Sequence, residues 1–532
     1  MRRWFNLAGQ QMSRSYLSLC LANGLWIGLG LSLAISSAGP AQAQVQAPAP
    51  APAKFTSPTT PTRSGSSVQE PNGTPSDLAA DPTRSAYEVQ INTAPTALDL
   101  YVAKPDPSYR FEIVRREELP TGTAWVIDMV SQTWLTEAEV NRTEWRHWLT
   151  IFRPRQCQSP TALMFVAGGG NDRPAPAAAE GQIMAIALAT NSVVAELKMV
   201  PNQPLIFHQD GQGRVEDDLI AYTWDQFIRT GDPKWPAQLP MTKSVVRAMD
   251  TVQKVLADDT RSTTIDNFVV TGGSKRGWTT WLTATVDPRV VAIAPIVIDV
   301  LNVDVSMRHH FATYGFWAPA IDDYVHHQIM QRRDAENYPA LLQLVDPYAY
   351  RDRLQMPKCV INATGDQFFC PDSSQFYFDQ LPGEKHLCYV PNSEHSLKET
   401  NALDSLIAFH YSIVNQIQRP TLAWERDADG NWVVTCPNLP QGQQLKAVTL
   451  WQCHNPTARD FRVDIVGRNY QPTRLTPDEN GAYRVQLEPP TSGWTASFIQ
   501  AEFDIGAPTP LRISSPVTVL PEALPHADKP LD

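Results

Sequence analysis

Ser274, Asp366 and His395 are the residue types that together make a nucleophile: a hydroxyl, a base to take its proton and an acid to orient the base. They occur in that chain order, each after an apolar run of strand character. Ser274 follows the run Phe268 to Thr271 through Gly272-Gly273, and a helix-compatible stretch from Lys275 to Thr285 begins without a linker. A strand that turns straight into a helix at a serine holds the hydroxyl on a strained corner, and small neighbours let strand and helix approach. The glycine spacing is shifted, because Arg276 stands where a G-x-S-x-G pattern wants its second glycine and Gly277 comes one place later. Taken alone, Gly-Gly-Ser before a helix reads equally as a plain loop with an N-cap serine. Asp366 ends the segment Ile361-Asn362-Ala363-Thr364-Gly365-Asp366, and His395 lies just beyond the run His386 to Val390. Three such residues, each after its own strand and in this order, point to acyl transfer more strongly than any one of them does.

In that chemistry His395 takes the proton of Ser274 as it attacks a carbonyl, and Asp366 fixes the imidazole tautomer. The oxyanion would meet the backbone N–H of Lys275 and one from Gly169 or Gly170. Those glycines belong to Gly168-Gly169-Gly170-Asn171, after the run Ala162 to Val166; an ordinary flexible turn is the other reading of them.

Positioning these residues requires a sheet. Three β-rich segments, Arg110 to Val114, Thr123 to Ser131 and Trp145 to Phe152, suit an antiparallel start. Strand-like runs then alternate with helical patterns, the mark of a largely parallel sheet. The runs are Ala162 to Val166, Ser192 to Leu197, Phe268 to Thr271, Val290 to Ile296, Lys358 to Ala363 and His386 to Val390. Helices are expected over Val215 to Arg229, Lys243 to Ala257 and Asn401 to Gln416. About eight strands, antiparallel first and parallel after, is the order of the α/β-hydrolase fold, expected here over residues 85–417.

Two inserts are expected to shape a pocket. Gly211 to Pro236 holds Asp217 and Trp224, and Ser306 to Asp346 occupies the position of a lid with Tyr314 and Trp317. Asn171, Asp217, Trp224, Tyr314 and Trp317 are the substrate-binding candidates. The lid also carries His309, His310, His326 and His327, but no carboxylate spacing completes a known metal site. The expectation is an aromatic helical lid, with no metal and no cofactor.

At the N-terminus, Arg2, Arg3 and Arg14 precede the apolar segment Leu21 to Ile35 and then Ala41-Gln42-Ala43. This reads as a signal peptide over 1–43 cleaved after Ala43, with a retained anchor as the alternative. Export to a periplasmic or secreted location follows, with no stable membrane span after cleavage. Residues 44–84 are rich in Ala, Pro, Ser and Thr and read as a disordered tether. The net charge of −11 carries no Lys/Arg stripe and argues against a nucleic-acid partner. Of the seven cysteines, Cys20 falls in the leader. The others, Cys157, Cys359, Cys370, Cys388, Cys436 and Cys453, show no CxxC spacing but could form disulfides in an exported chain. A Cys370–Cys388 bridge would tie the acid loop to the last parallel strand, with Cys359 competing; Cys436–Cys453 is a further candidate.

After Pro420 the pattern changes to short alternating strands: Thr421 to Glu425, Trp432 to Thr435, Leu445 to Trp451, Phe461 to Val466, Tyr483 to Leu487, Ala496 to Phe503 and Leu511 to Val519. Asp429-Gly430 and Asn480-Gly481 are hairpin signals. The expectation is an immunoglobulin- or fibronectin-like sandwich over 418–520, a surface for a protein partner, then a disordered tail over 521–532.

Longer blocks carry a resemblance. Thr271 to Trp281 (TGGSKRGWTTW), Ala97 to Pro105, Ser131 to Thr136, Asp218 to Trp224 and Ile298 to Asn302 resemble the PhoPQ-activated pathogenicity-related proteins, from about residue 90 to 500. The resemblance implies an α/β-hydrolase fold with a C-terminal β domain, and it accounts for the shifted glycine. Glucuronoyl esterases use a similar Gly-x-Ser-Arg-x-Gly, but Arg276 here falls one place later, so their substrate class does not follow. The family is named for regulation and virulence, so the sequence leaves the small-molecule or peptide substrate open. An exported interaction or stress-response protein that uses the fold as a scaffold is the alternative class.

Overall fold

The computed structural model describes residues 89–531 apart from 180, 262 and 429. The expected leader and tether lie outside the described residues. The chain opens with a capped helix, Ala97–Ala103, in which Thr96 and Asp99 close a capping box. An antiparallel meander follows: β1 (Arg110–Leu119), β2 (Gly122–Thr133) and β3 (Glu144–Pro154). Next come β4 (Thr161–Val166), β5 (Val194–Leu197), β6 (Asn267–Gly273), β7 (Val290–Ile296), β8 (Lys358–Ala363) and β9 (Lys385–Val390). These run in the order β1-β2-β3-β5-β4-β6-β7-β8-β9, antiparallel through β3–β5 and parallel from β5 to β9.

Alternation along the strands explains why the parallel ones are rich in apolar residues on both faces. Met164 and Val166 enter one core with the helices Gln238–Ala257 and Lys275–Val286. Leu163 and Phe165 enter a second core with Gly181–Thr190 and Ala402–Val414 on the opposite face. With both faces covered, every residue of β4 and β8 is buried. The expected helix over Val215 to Arg229 is observed as Glu216–Thr230, and the lid insert folds as Val303–Tyr314, Asp322–His326 and Tyr338–Val345.

The C-terminal strands are β10 (Thr421–Arg426), β11 (Trp432–Asn438), β12 (Gln444–Asn455), β13 (Gln471–Arg474), β14 (Tyr483–Val485), β15 (Trp494–Asp504), β16 (Leu511–Ser514) and β17 (Thr518–Leu520). They form two layers, but not as a body apart from the large sheet. β16 pairs with β9 at Leu387↔Ser514, and the order continues β9-β16-β15-β12-β13, with β17 also on β15. The second layer, β10-β11-β14, places Leu422, Val434 and Val485 in the same core as Ile361 and Val390. The physical reason is the edge of β9, whose unpaired backbone groups the C-terminal strands cover. Ser514 Oγ accepts the Tyr389 N–H at 2.9 Å, and Gln500 Nε2 donates to the Tyr389 carbonyl at 2.9 Å.

Several local expectations are corrected. Phe461 to Val466 is no strand: Val463–Val466 is a helical turn. Asn480-Gly481 turns the chain, with Gly481 at φ +78°, yet β13 and β14 belong to different sheets and make no hairpin. Residues 521–531 are described and held to the lid helix, where the His526 N–H donates to Ala312 O at 3.0 Å. All six cysteines of the described chain are free thiols. Cys388 faces the helix Ala402–Val414, with Sγ 3.3 Å from Ser405 Oγ, whereas Cys370 packs with Tyr314 and Ala318 in a separate cluster. Cys436 and Cys453 likewise belong to different cores. Among the described residues no helix is long and apolar enough to cross a membrane.

Candidate active site

Ser274 stands where β6 turns into the helix Lys275–Val286, at φ 58° and ψ −127°. This is a costly conformation for a non-glycine residue. Two hydrogen bonds hold it: the Ser274 N–H donates to Ile296 O at 2.8 Å, and its carbonyl accepts the Trp278 N–H at 3.0 Å. The glycines that permit the turn are Gly272 and Gly277. A Cβ on Gly272 would lie 2.9 Å from Arg276 O, and one on Gly277 would lie 2.9 Å from both Gly272 O and Ile298 Cγ2. The working spacing is therefore one residue longer than G-x-S-x-G.

Asp366 and His395 meet across the ends of β8 and β9. The imidazole Nδ1–H donates to Asp366 Oδ2 at 2.8 Å, with Oδ1 at 3.0 Å, and Asp366 Oδ1 also accepts the Phe368 N–H at 2.8 Å. Gln367 Oε1 accepts the His395 N–H at 3.1 Å, and the Phe368 ring lies 4.2 Å from the imidazole, centroid to centroid. Nε2 is buried and makes no hydrogen bond among the described residues, Ser274 included. Hydrogen bonds of this kind often tighten only when substrate is bound.

A cavity of about 50 Å³ opens beside Ser274. Phe368, which packs on His395, lines it together with Phe369, Trp224, Trp278 and Tyr324. Asp217 and Lys275 are its charged wall residues, and they are spent on one another. Lys275 Nζ lies 3.0 Å from Asp217 Oδ2 and 2.9 Å from Glu216 Oε2, and Tyr324 donates its hydroxyl to Asp217 Oδ1 at 3.1 Å. Burial would lower the Lys275 ammonium, but Asp217 and Glu216 overcome it and hold the group above its ordinary value. Burial would raise the Glu216 carboxyl, but Lys275 and Arg276 prevail and keep it far below the usual range. Arg276 grips Glu216 through two hydrogen bonds, at 2.7 and 2.6 Å.

Asp217 and Trp224 line the cavity, and so does Lys275 beside the serine. Asn171, Tyr314 and Trp317 are not among the residues lining it. Asn171 donates to Pro204 O at 3.2 Å, and Tyr314 packs under the Arg462 guanidinium. Gly169 and Gly170 do not line the cavity either. The glycine run has a packing reason of its own, since a Cβ on Gly168 would sit 2.5 Å from the Arg276 guanidinium. Phe368 and Phe369 were not singled out from the sequence, although their position directly after Asp366 could have marked them.

Behind the acid loop lies a buried charge network. Asp372 accepts from His309 Nε2 at 3.0 Å and from Arg459 Nη2 at 2.7 Å, and despite burial those two partners hold its carboxyl far below the usual range. His309, Cys370 and Asp372 bring their donor atoms within 4.8 Å of one another, as metal ligands do. Arg459 already neutralises Asp372, however, and burial pushes the Cys370 thiol up to about 12. Asp299, after β7, accepts hydroxyls from Tyr377 and Tyr389 at 2.6 Å each. Burial, aided by the charges of Asp366 and Asp372, pushes its carboxyl up to about 7 against the two tyrosine bonds.

A parallel sheet entered through an antiparallel meander, with a serine on the strand–helix corner and an Asp–His pair at the ends of β8 and β9, defines the α/β-hydrolase fold. Within it the chain belongs to the PhoPQ-activated pathogenicity-related protein family, whose model matches residues 98–462. It is 38% identical over 456 residues to autocrine proliferation repressor protein A of Dictyostelium discoideum, covering 81% of this chain and 91% of that one. Among solved structures it is similar to acetyl xylan esterase 1 of a Thermoanaerobacterium species, at 13% identity and TM-score 0.39, covering 58% of this chain and 90% of that one. A glucuronoyl esterase from Solibacter usitatus gives 14% identity and TM-score 0.35, with coverage of 59% and 90%.

Proposed function

We propose that this protein is an exported serine hydrolase that cleaves an ester or amide through an acyl-enzyme. The observation that carries the reading is the backbone of Ser274, held in a strained positive-φ conformation on the strand–helix corner beside the cavity. His395 Nε2 takes the Ser274 hydroxyl proton as the Oγ–carbon bond forms, and gives it to the leaving oxygen or nitrogen as the bond from that group to the carbonyl carbon breaks. Water then repeats the sequence on the acyl-enzyme. Asp366 keeps the Nδ1 proton in place and stabilises the imidazolium. The oxyanion is met by the Lys275 N–H at the helix N-terminus, where the dipole also favours negative charge, and by a donor from the Gly169–Gly170 loop once substrate is seated. The leader ending at Ala43 takes the chain out of the cytoplasm.

A fluorophosphonate probe should label the native protein at Ser274, and Ser274→Ala should abolish both labelling and ester hydrolysis. Turnover that survives this substitution refutes the mechanism. A second reading, a non-catalytic secreted protein that meets a partner through its C-terminal strands, draws support from the Dictyostelium relative, whose name describes repression of proliferation and no reaction. A folded protein that no serine-directed probe labels would favour that reading.

A further inference from the structure

The cavity beside Ser274 has a chemistry of its own. Apart from Asp217 and Lys275 its walls are carbon-rich: Ile298, Val300, Val303, Met307, Ile321 and Met330 complete the aromatic ring described above. Both charged walls are committed, Lys275 to Glu216 and Asp217, and Asp217 also to the Tyr324 hydroxyl. Lys275 and Arg276 already balance Glu216 and Asp217, so a ligand carboxylate or ammonium entering here would bring a net uncompensated charge, and such a buried charge is strongly disfavoured. The volume bounds the guest as well. About 50 Å³ holds roughly three to five water-sized groups, which suits a short chain and leaves a long one without room.

We infer that this cavity is the acyl pocket, taking an uncharged aliphatic acyl group of about four carbons and turning away charged or long-chain groups. Its acyl role, though not its selectivity for size and charge, rests on Ser274 being the nucleophile, since that residue lines the cavity. Each methylene accepted should raise kcat/KM roughly fourfold, up to the point where the pocket is full. Met307 and Met330 line the cavity and are unbranched, so either can be shortened to enlarge it without removing a polar contact.

The test has two arms. In the first, p-nitrophenyl esters with one leaving group and a varied acyl part (acetate, propionate, butyrate, hexanoate, octanoate and the succinate half-ester) are hydrolysed by the full chain. We expect a maximum at butyrate, at least tenfold above octanoate and succinate, and a shift towards hexanoate in Met307→Ala or Met330→Ala. In the second arm, acetamide, butyramide, octanamide and succinamate are titrated into Ser274→Ala, following the fluorescence of Trp224 and Trp278 in the wall. Butyramide should bind most tightly. A profile that is flat, or that favours octanoate or succinate, overturns the pocket while leaving the hydrolase in place. Loss of all hydrolysis and probe labelling, with butyramide still binding best, would instead sink the nucleophile and keep the pocket. Amides that do not bind, or that bind without regard to length, refute it whatever the catalysis.

Discussion

Arg459→Met should weaken the whole molecule and slow the serine, because it removes a prop that reaches from the C-terminal strands to the acid loop. Arg459 lies between β12 and the turn Val463–Val466, and its guanidinium is 2.7 Å from Asp372 with both side chains 4% exposed. Truncating one member of a buried pair costs about 3–5 kcal/mol, mostly as the penalty on the charge left behind. Asp372 would keep its 3.0 Å bond to His309, so the loss belongs at the lower end, about 3 kcal/mol. Urea unfolding measures it as a lower midpoint at unchanged slope. The pair Arg459→Met/Asp372→Asn removes both charges and should lose less than the sum of the single changes by at least about 1 kcal/mol. Asp372 shares its loop with Asp366, so fluorophosphonate labelling of folded Arg459→Met should also be slower than wild type. A loss under about 1 kcal/mol, or strict additivity in the double variant, would refute the argument and make the network ornamental.

Asp299 gives a pH signature. Its folded value, about 7, lies above that of an exposed carboxyl, so its contribution is full below about pH 4 and is lost as pH rises through 7. Asn at 299 cannot ionise; its stability relative to wild type should therefore rise between those limits, by up to about 4 kcal/mol, and a constant difference across pH would contradict the burial argument. The elbow glycines should separate cleanly in thermal unfolding. Gly277→Ala, with a Cβ 2.9 Å from Gly272 O and Ile298 Cγ2, should cost about 1–3 kcal/mol. Gly273→Ala, whose nearest neighbour would be Val297 Cγ2 at 4.0 Å, should stay within about 0.5 kcal/mol. Equal effects would show that the helix can shift to make room.

The sequence by itself determined the sheet and the order of the candidate catalytic residues. Periodicity does this work: β7 and β8 are found with the bounds expected, because a strand buried on both faces shows as a mainly apolar run, even where β8 carries Lys358 and Asn362. Ser274, Asp366 and His395 were legible because each follows such a strand, and the Asp366–His395 bond joins the ends of two adjacent ones. Whatever depends on which side chains converge was left to tertiary structure. Tyr314 and Trp317 carry the same aromatic signal as Trp224, yet only the packing of the helix Glu216–Thr230, with Trp224 against Trp278, puts Trp224 at the cavity. The glycines after β4 have the composition of an oxyanion loop, while the close approach of Arg276 is what Gly168 permits. Cys370 and Cys388 are near in sequence to loops that meet, but the alternation of β9 sends Cys388 into the core on the Ala402–Val414 face, away from the cluster of Cys370. The C-terminal strands read as a separate sandwich because their pattern is local. That one of their layers continues the hydrolase sheet was decided by the open edge of β9, a property of the folded sheet and of no single segment.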